Sequence, residues 1–293
     1  MRKIIVILFV INSSSVFAQS DLLSLVDKKD KSKKEHISNA FKSARVINGE
    51  SMEFIGKGVL DVRILHRFGL INSGFNNLYG LDQASMRFGF GYGLSKNLTA
   101  ELGRSNVGKE WDGSLKFRPI WQSTGGSWPS PVSVVLVTGS TISTMPWTDP
   151  TRKNFFSSRM AFYNEIIIGR KFNEIFTLQI APIFIHRNMV PLATDQNDAY
   201  ACSVGTRFKL SKHTAFVAEY TYIIQGVDKT VYKNPLSIGF DIETGGHVFQ
   251  LHFSNATGMN EKAFITGTTN SWAKGEISFG FNLSRVFTVG HSN

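Results

Sequence analysis

Short segments in which apolar and polar residues alternate, separated by turns, recur along most of this chain and constrain its fold more than any other feature. Near the C-terminus, Ile277, Phe279, Phe281 and Leu283 alternate with Glu276, Ser278, Gly280, Asn282 and Ser284. Successive strand side chains point to opposite faces, so such a segment has one greasy face and one small or polar face. Alternation and turn chemistry give about twelve strand candidates. They centre on 58–68, 84–94, 98–106, 111–122, 131–143, 159–171, 175–187, 199–210, 214–225, 235–243, 247–256 and 274–287.

The connections alternate in length. Ser95-Lys96-Asn97, Asn173-Glu174, Ser211-Lys212-His213 and Thr244-Gly245-Gly246 read as tight turns, whereas 69–83, 144–158, 188–198, 226–234 and 257–273 are longer loops. Short turns on one side and long loops on the other are the rhythm of membrane β-barrels. Two connections depart from it: that near 106–110 is short for an outer loop, and 123–130 is long for an inner turn. Closure removes sheet edges, which cannot stay unpaired in lipid. The expected fold is therefore all-β, a single antiparallel up-and-down transmembrane barrel of about 12 strands. An exported two-sheet sandwich is the alternative, and it would bury the apolar faces against each other.

The N-terminus fits export. Met1-Arg2-Lys3 precedes the apolar run Ile4 to Val10, and Val16-Phe17-Ala18 supplies a small residue for cleavage, so residues 1–18 read as a signal peptide. A retained anchor helix needs roughly 20 apolar residues, more than this run provides. Residues 19–57 contain the charge run Asp27 to Glu35 and read as a periplasmic extension or a lumen plug. Within them Ile37, Ala40, Phe41 and Ala44 stand at helical spacing and predict a short amphipathic helix. The barrel is then 58–293.

Net charge is +10, and +8 once Arg2 and Lys3 leave with the signal. Positive charge favours anionic surfaces, so the expected partners are outer-membrane lipid and lipopolysaccharide, with a small polar solute if the lumen is open. No basic recognition helix points to nucleic acid. The single Cys202 forms no internal disulfide, and without a Cys/His cluster no cofactor or metal is expected. A mean hydropathy of -0.07 suits a barrel and a soluble protein alike. Oligomeric state is left open.

If apolar positions face lipid, the outer face includes Phe88, Phe90, Leu115, Phe117, Phe216, Phe240, Phe249, Leu251, Phe253, Phe279 and Phe281. Trp111, Trp121, Trp128, Trp147 and Trp272 fall near strand ends or in loops, where an amphipathic ring suits the interface. The lumen then carries Asp61, Arg63, Arg87, Glu101, Asp112, Lys116, Arg118, Glu165, Arg207, Lys209, Glu219, Asp241, Glu243, Gln250 and Glu276, together with Gln179 and His252. Six of these are basic and eight acidic, so a pore selecting strongly by charge is not expected. Mixed signs suggest pairing across a narrow or partly plugged interior.

The segments His66-Arg67-Phe68-Gly69, Gly74, Gly80-Leu81-Asp82, Arg87-Phe88-Gly89, Phe41 to Gly49, Gly245 to Leu251 and Phe279-Gly280-Phe281-Asn282 carry a family resemblance. The chain resembles the membrane-bound β-barrel family of unknown function found in Bacteroidota. The resemblance spans nearly the whole mature chain and implies a bacterial outer-membrane barrel with no assigned substrate or activity.

One motif could carry chemistry. His252-Phe253-Ser254-Asn255-Ala256 is similar to the His-x-Ser-Asn motif of outer-membrane lipid deacylases and phospholipases. Residues i and i+2 of a strand share a face, so the imidazole could reach the hydroxyl, with Glu261 or Glu276 orienting it and Asn255 as oxyanion donor. Both residues fall on the lumenal face, however, whereas a lipid substrate lies outside. The Gly89-x-Gly91-x-Gly93 run has no helix after it and reads as small lumenal residues rather than a nucleotide loop. The sequence thus favours a non-enzymatic, porin-like channel for small polar solutes. A structural or accessory barrel and a serine-type lipid hydrolase are the alternatives.

Overall fold

The computed structural model describes residues 34–290; the expected signal peptide and the residues up to 33 lie outside them. The alternating segments form twelve strands: β1 (Val59–Leu70), β2 (Ala84–Ser95), β3 (Leu98–Ser105), β4 (Glu110–Ile120), β5 (Ser133–Ser143), β6 (Met160–Lys171), β7 (Phe176–Arg187), β8 (Asp198–Lys209), β9 (Thr214–Gln225), β10 (Leu236–Thr244), β11 (His247–Ser254) and β12 (Ser278–Thr288). Each pairs antiparallel with its sequence neighbour, and β12 closes on β1 to give a closed barrel. Every strand candidate from the sequence corresponds to one of these, and among the described residues the only other sheet is a two-stranded ribbon at one end.

The alternation sorts the wall as lipid requires. Phe88, Phe90, Leu102, Leu115, Phe117, Phe240, Leu251 and Phe253 are exposed, although they are large and apolar. The residues of the opposite phase, Asp61, Arg63, Arg87, Lys116, Glu219 and Asp241, are buried in the interior. A water-soluble protein would reverse this; a barrel in acyl chains does not. Aromatic rings pair along the outer wall, as at Phe176 and Phe208 with centroids 4.7 Å apart, and His66 stacks on Phe281 at 4.9 Å. Phe90→Arg should therefore cost about 2–4 kcal/mol in unfolding from lipid vesicles, by placing a charge among acyl chains. Phe75→Arg, in an outer loop, should shift stability by no more than about 0.5 kcal/mol. Equal effects would mean that this face is not lipid-facing.

The two irregular connections acquire reasons. The long inner turn between β4 and β5 carries Ser123 and Thr124, which pair antiparallel with Glu35 and His36 of the incoming N-terminal segment. The short outer connection is a single helical turn, Val107–Lys109, with Gly108 at φ 62°. The strand expected to begin at 274 begins at Ser278 instead. Trp272–Lys274 forms a helical turn ended by Gly275 in the left-handed region at φ 69°.

The amphipathic helix expected around Ile37–Ala44 does not form. Ala40, Phe41 and Ala44 are buried within the barrel in a non-helical path. The side chain of Glu53 accepts the N–H groups of Ala40 at 2.8 Å and Phe41 at 3.4 Å, replacing the partners a helix would supply. The apolar spacing was real, but it reflects burial on more than one side.

Candidate functional site

The barrel interior is occupied by the chain's own N-terminal segment. It enters at the short-turn end, reverses near mid-height and returns to start β1. The reversal is a hairpin: Ser51 donates to the Ala44 carbonyl and Val46 to the Gly49 carbonyl, both at 2.9 Å. Its tip, Val46-Ile47-Asn48-Gly49, is gripped by one wall residue. Glu219 of β9 accepts the backbone N–H groups of Ile47 (3.0 Å), Asn48 (2.7 Å) and Gly49 (2.9 Å). Three donors from consecutive residues on a buried carboxylate make a strong, directional latch.

Further groups hold the rest of the turn. Gln250 donates to the Val46 carbonyl at 2.6 Å and Asn282 to that of Ile47 at 2.9 Å. Asn48 donates to Ser237 at 2.8 Å and accepts from Arg67 at 2.9 Å. Gln179 accepts from the Met52 N–H and donates to the Glu50 carbonyl, at 2.8 and 2.7 Å. Arg118 donates to the Met52 carbonyl.

The charges pair as the mixed signs suggested, though several pairs include the hairpin. Arg45 bridges Glu50 at 2.8 Å and Glu261 at 3.1 Å, and Lys116 meets Glu50 at 3.1 Å. Within the wall, Arg63 contacts Asp61 at 3.3 Å and Glu101 at 2.5 Å, and Arg87 pairs with Asp112. Asp241 accepts from Gln250 at 2.7 Å. Removing one partner of such a buried pair strands the other charge. Glu165 and Arg207 are buried on the same face, Arg207 facing the Ala40 carbonyl at 3.4 Å.

Three expected lumen residues lie at or beyond the rim. Lys209 and Glu243 are only half-buried, at the short-turn end, where Glu243 pairs with Lys42. Glu276 precedes β12 and accepts the Ser271 N–H at 2.7 Å, fixing an outer loop. Strand periodicity was extended too far at Glu276, whereas Lys209 and Glu243 keep the inward phase at the barrel rim.

Close approach explains the small residues on the inner face. A Cβ at Gly93 would lie 2.0 Å from the Gly56 carbonyl oxygen, and one at Gly91 2.5 Å from Ile55 Cδ1. The Gly89-x-Gly91-x-Gly93 run is thus a groove for the returning arm and for the Arg87 guanidinium.

The outer half is filled from the other end. The loop 255–277 folds inward and carries the helix α1 (Glu261–Gly267), capped by the Asn260 side chain, which accepts from Ala263 N–H at 2.8 Å. Glu261, Phe264 and Ile265 of α1 are fully buried, and Asn260 donates to Glu110 at 3.0 Å. Arg45 therefore ties the inner hairpin to the outer loop. At the outer rim Asp228 is held below the usual carboxylate range by the Thr230 hydroxyl and N–H.

Much of the wall from β5 to β9 is apolar inside as well as outside. Val135, Val137, Ile167, Ile183, Ile185 and Ile223 are buried there and cluster with Phe41, Val46, Met52 and Phe264. The lumen residues expected from the sequence are charged, polar or small; the β5–β9 wall instead carries a packed hydrophobic core completed by the hairpin and α1.

The hydrolase geometry is absent. Neither ring nitrogen of His252 has a hydrogen-bond partner among the described residues. The Ser254 hydroxyl instead pairs with Ser237 at 2.7 Å and accepts the Ala256 N–H at 3.0 Å. Glu261 is paired with Arg45, and Asn255 accepts the Leu236 N–H at 2.8 Å. All of these are buried inside the barrel, away from lipid. Among the described residues no group of three or more His, Cys, Asp or Glu is placed to hold a metal.

Sequence reasoning missed Arg45, Glu50 and Arg67. Arg67 continues the phase of Asp61, Arg63 and Leu65 and was findable; Arg45 and Glu50 lie in a segment with no strand period to place them.

A closed antiparallel sheet with an apolar outer girdle and a buried, ion-paired interior defines a membrane β-barrel. Residues 41–287 match the family model described as "Membrane bound beta barrel domain (DUF5777)", and the chain belongs to that family. A search of curated proteins finds no match. Among solved structures, the KdgM porin superposes with a TM-score of 0.49 at 7% identity, covering 78% of this chain and 99% of that one. The NanC porin gives 0.46 at 8%, covering 78% and 98%. The COG4313 outer membrane channel from Pseudomonas putida F1 gives 0.43 at 11%, covering 80% and 97%. These identities speak to fold alone.

Proposed function

We propose that this protein is a porin-like outer-membrane channel for small polar solutes, held closed at rest by its own residues 34–57. The observation that carries this reading is the manner in which the hairpin is held. It is bound by hydrogen bonds and ion pairs to polar wall residues of β1, β4, β7 and β9–β12, so its withdrawal would uncover a polar strip of wall beside the apolar one. A segment that enters and leaves by the same end can withdraw without threading. The signal-like N-terminus and the net positive charge support an outer-membrane setting after export.

The apolar inner wall of β5–β9 favours a second reading, a permanently closed accessory barrel that presents its loops to a partner. Planar-bilayer recording of the full chain separates the two. The channel reading expects rare steps that become frequent when the latch is weakened; complete silence of both wild type and latch variants at every voltage supports the accessory barrel.

A further inference from the structure

We infer that the outer mouth holds a binding site for a small organic carboxylate with an apolar body, a solute class for the channel reading on which this inference builds. A cavity of about 560 Å³ opens between α1 and the loops after β5 and β7. That volume is in the range of sites for small organic ligands.

Its wall has two characters. Met145, Pro146, Met189, Val190 and Pro191 supply apolar surface, and Trp147 adds an aromatic ring. The charged groups on the wall are Arg159, Arg187, Lys262 and Glu110, three cations against one carboxylate. Lys262 is spent on Glu110 at 2.5 Å. Arg187 stands 3.7 Å from Asp195, leaving its Nε and Nη1 without hydrogen-bond partners although the residue is 1% exposed.

Arg159 is the cation left for a ligand. Its guanidinium lies over the Trp147 ring at 3.8 Å and donates to the carbonyls of Ser143 (3.1 Å) and Met145. Among the described residues it forms no ion pair. The ring and the two carbonyls fix the fork in place while leaving its charge uncompensated, the arrangement that a planar carboxylate meets well. The neighbouring methionines and prolines then receive the apolar part of the solute. A purely hydrophilic anion gains only the charge, and an uncharged analogue only the apolar contact.

Benzoate is a suitable probe, with benzamide as the uncharged isostere and gluconate as the hydrophilic anion. Binding to the detergent-solubilised full chain can be followed by calorimetry and by quenching of Trp147, with Trp147→Phe identifying its share of the emission. Benzoate should bind at least tenfold more tightly than either control, and Arg159→Gln should weaken it at least tenfold while leaving the thermal unfolding of the barrel unchanged. Equal binding of benzoate and benzamide, insensitivity to Arg159→Gln, or no benzoate binding at tens of millimolar would each overturn the site. Should Arg159→Gln disturb folding, Arg159→Lys keeps the charge without the fork and should lose most of the benzoate preference; retention of it overturns the bidentate role. Conductance does not enter this test, so loss of the site leaves the channel reading standing, and silence in the bilayer leaves the site standing.

Discussion

Glu219→Ala should unlatch the hairpin and convert a mostly silent barrel into one with frequent conductance steps. The carboxylate takes three backbone donors at 2.7–3.0 Å, and alanine leaves all of them without an acceptor in the interior. Hydrogen bonds to a charged group contribute about 1.5–3 kcal/mol each, and non-additivity brings the combined loss to roughly 3–5 kcal/mol for hairpin docking. Amide exchange at residues 47–49 should accelerate by about two to four orders of magnitude, the same energy read kinetically. Glu219→Gln keeps one acceptor oxygen and should fall between. If exchange at the tip is unchanged in Glu219→Ala, the hairpin is held by something other than this latch.

Arg45→Met should destabilise the whole barrel as well as the hairpin. Arg45 is the ion-pair partner of Glu261 among the described residues, and Glu50 keeps only Lys116 after its loss. Stranding a buried carboxylate typically costs about 3–5 kcal/mol. The double change Arg45→Met with Glu261→Gln removes the stranded charge and should recover at least about 1–2 kcal/mol of that loss, a coupling measurable by urea unfolding from vesicles. Strict additivity of the two changes would show that hairpin and α1 do not communicate through this pair. On the proposed channel reading, such coupling would make displacement of the outer loop and withdrawal of the inner arm parts of one opening event.

The strands and their facing were legible because period-two alternation has a single physical cause, a sheet with unlike solvents on its two sides. Phe88, Phe90 and Phe253 on one face and Arg63, Arg87 and Glu219 on the other followed directly from it. The hairpin was not legible in the same way. Arg45 and Glu50 carry no period, and their meaning comes from partners far along the chain, Glu261 and Lys116. The run Ile37–Ala44 misled because burial among several walls imitates the spacing of a helix face. Ile183 and Ile185 hid the apolar inner wall, since a strand buried on both sides shows no alternation to read. His252 and Ser254 share a motif's spacing, but Ser237 across the β10–β11 pairing takes the hydroxyl, a register effect invisible in the local sequence.

The closed lumen is tested most directly by a disulfide between the hairpin and the wall. Val46 Cγ2 lies 2.9 Å from a Cβ built at Gly205; a sulfur there stands close to the about 3 Å that disulfide geometry sets between one sulfur and the opposing Cβ. With Cys202→Ala removing the native thiol, Val46→Cys and Gly205→Cys should oxidise spontaneously to one cross-link in the folded, membrane-inserted protein. The cross-linked form should stay silent in the bilayer even in the Glu219→Ala background, and a reductant should restore its steps. Free thiols at both positions, open to a bulky maleimide in the folded protein, would show that residues 46 and 205 are apart and that the hairpin does not fill the barrel.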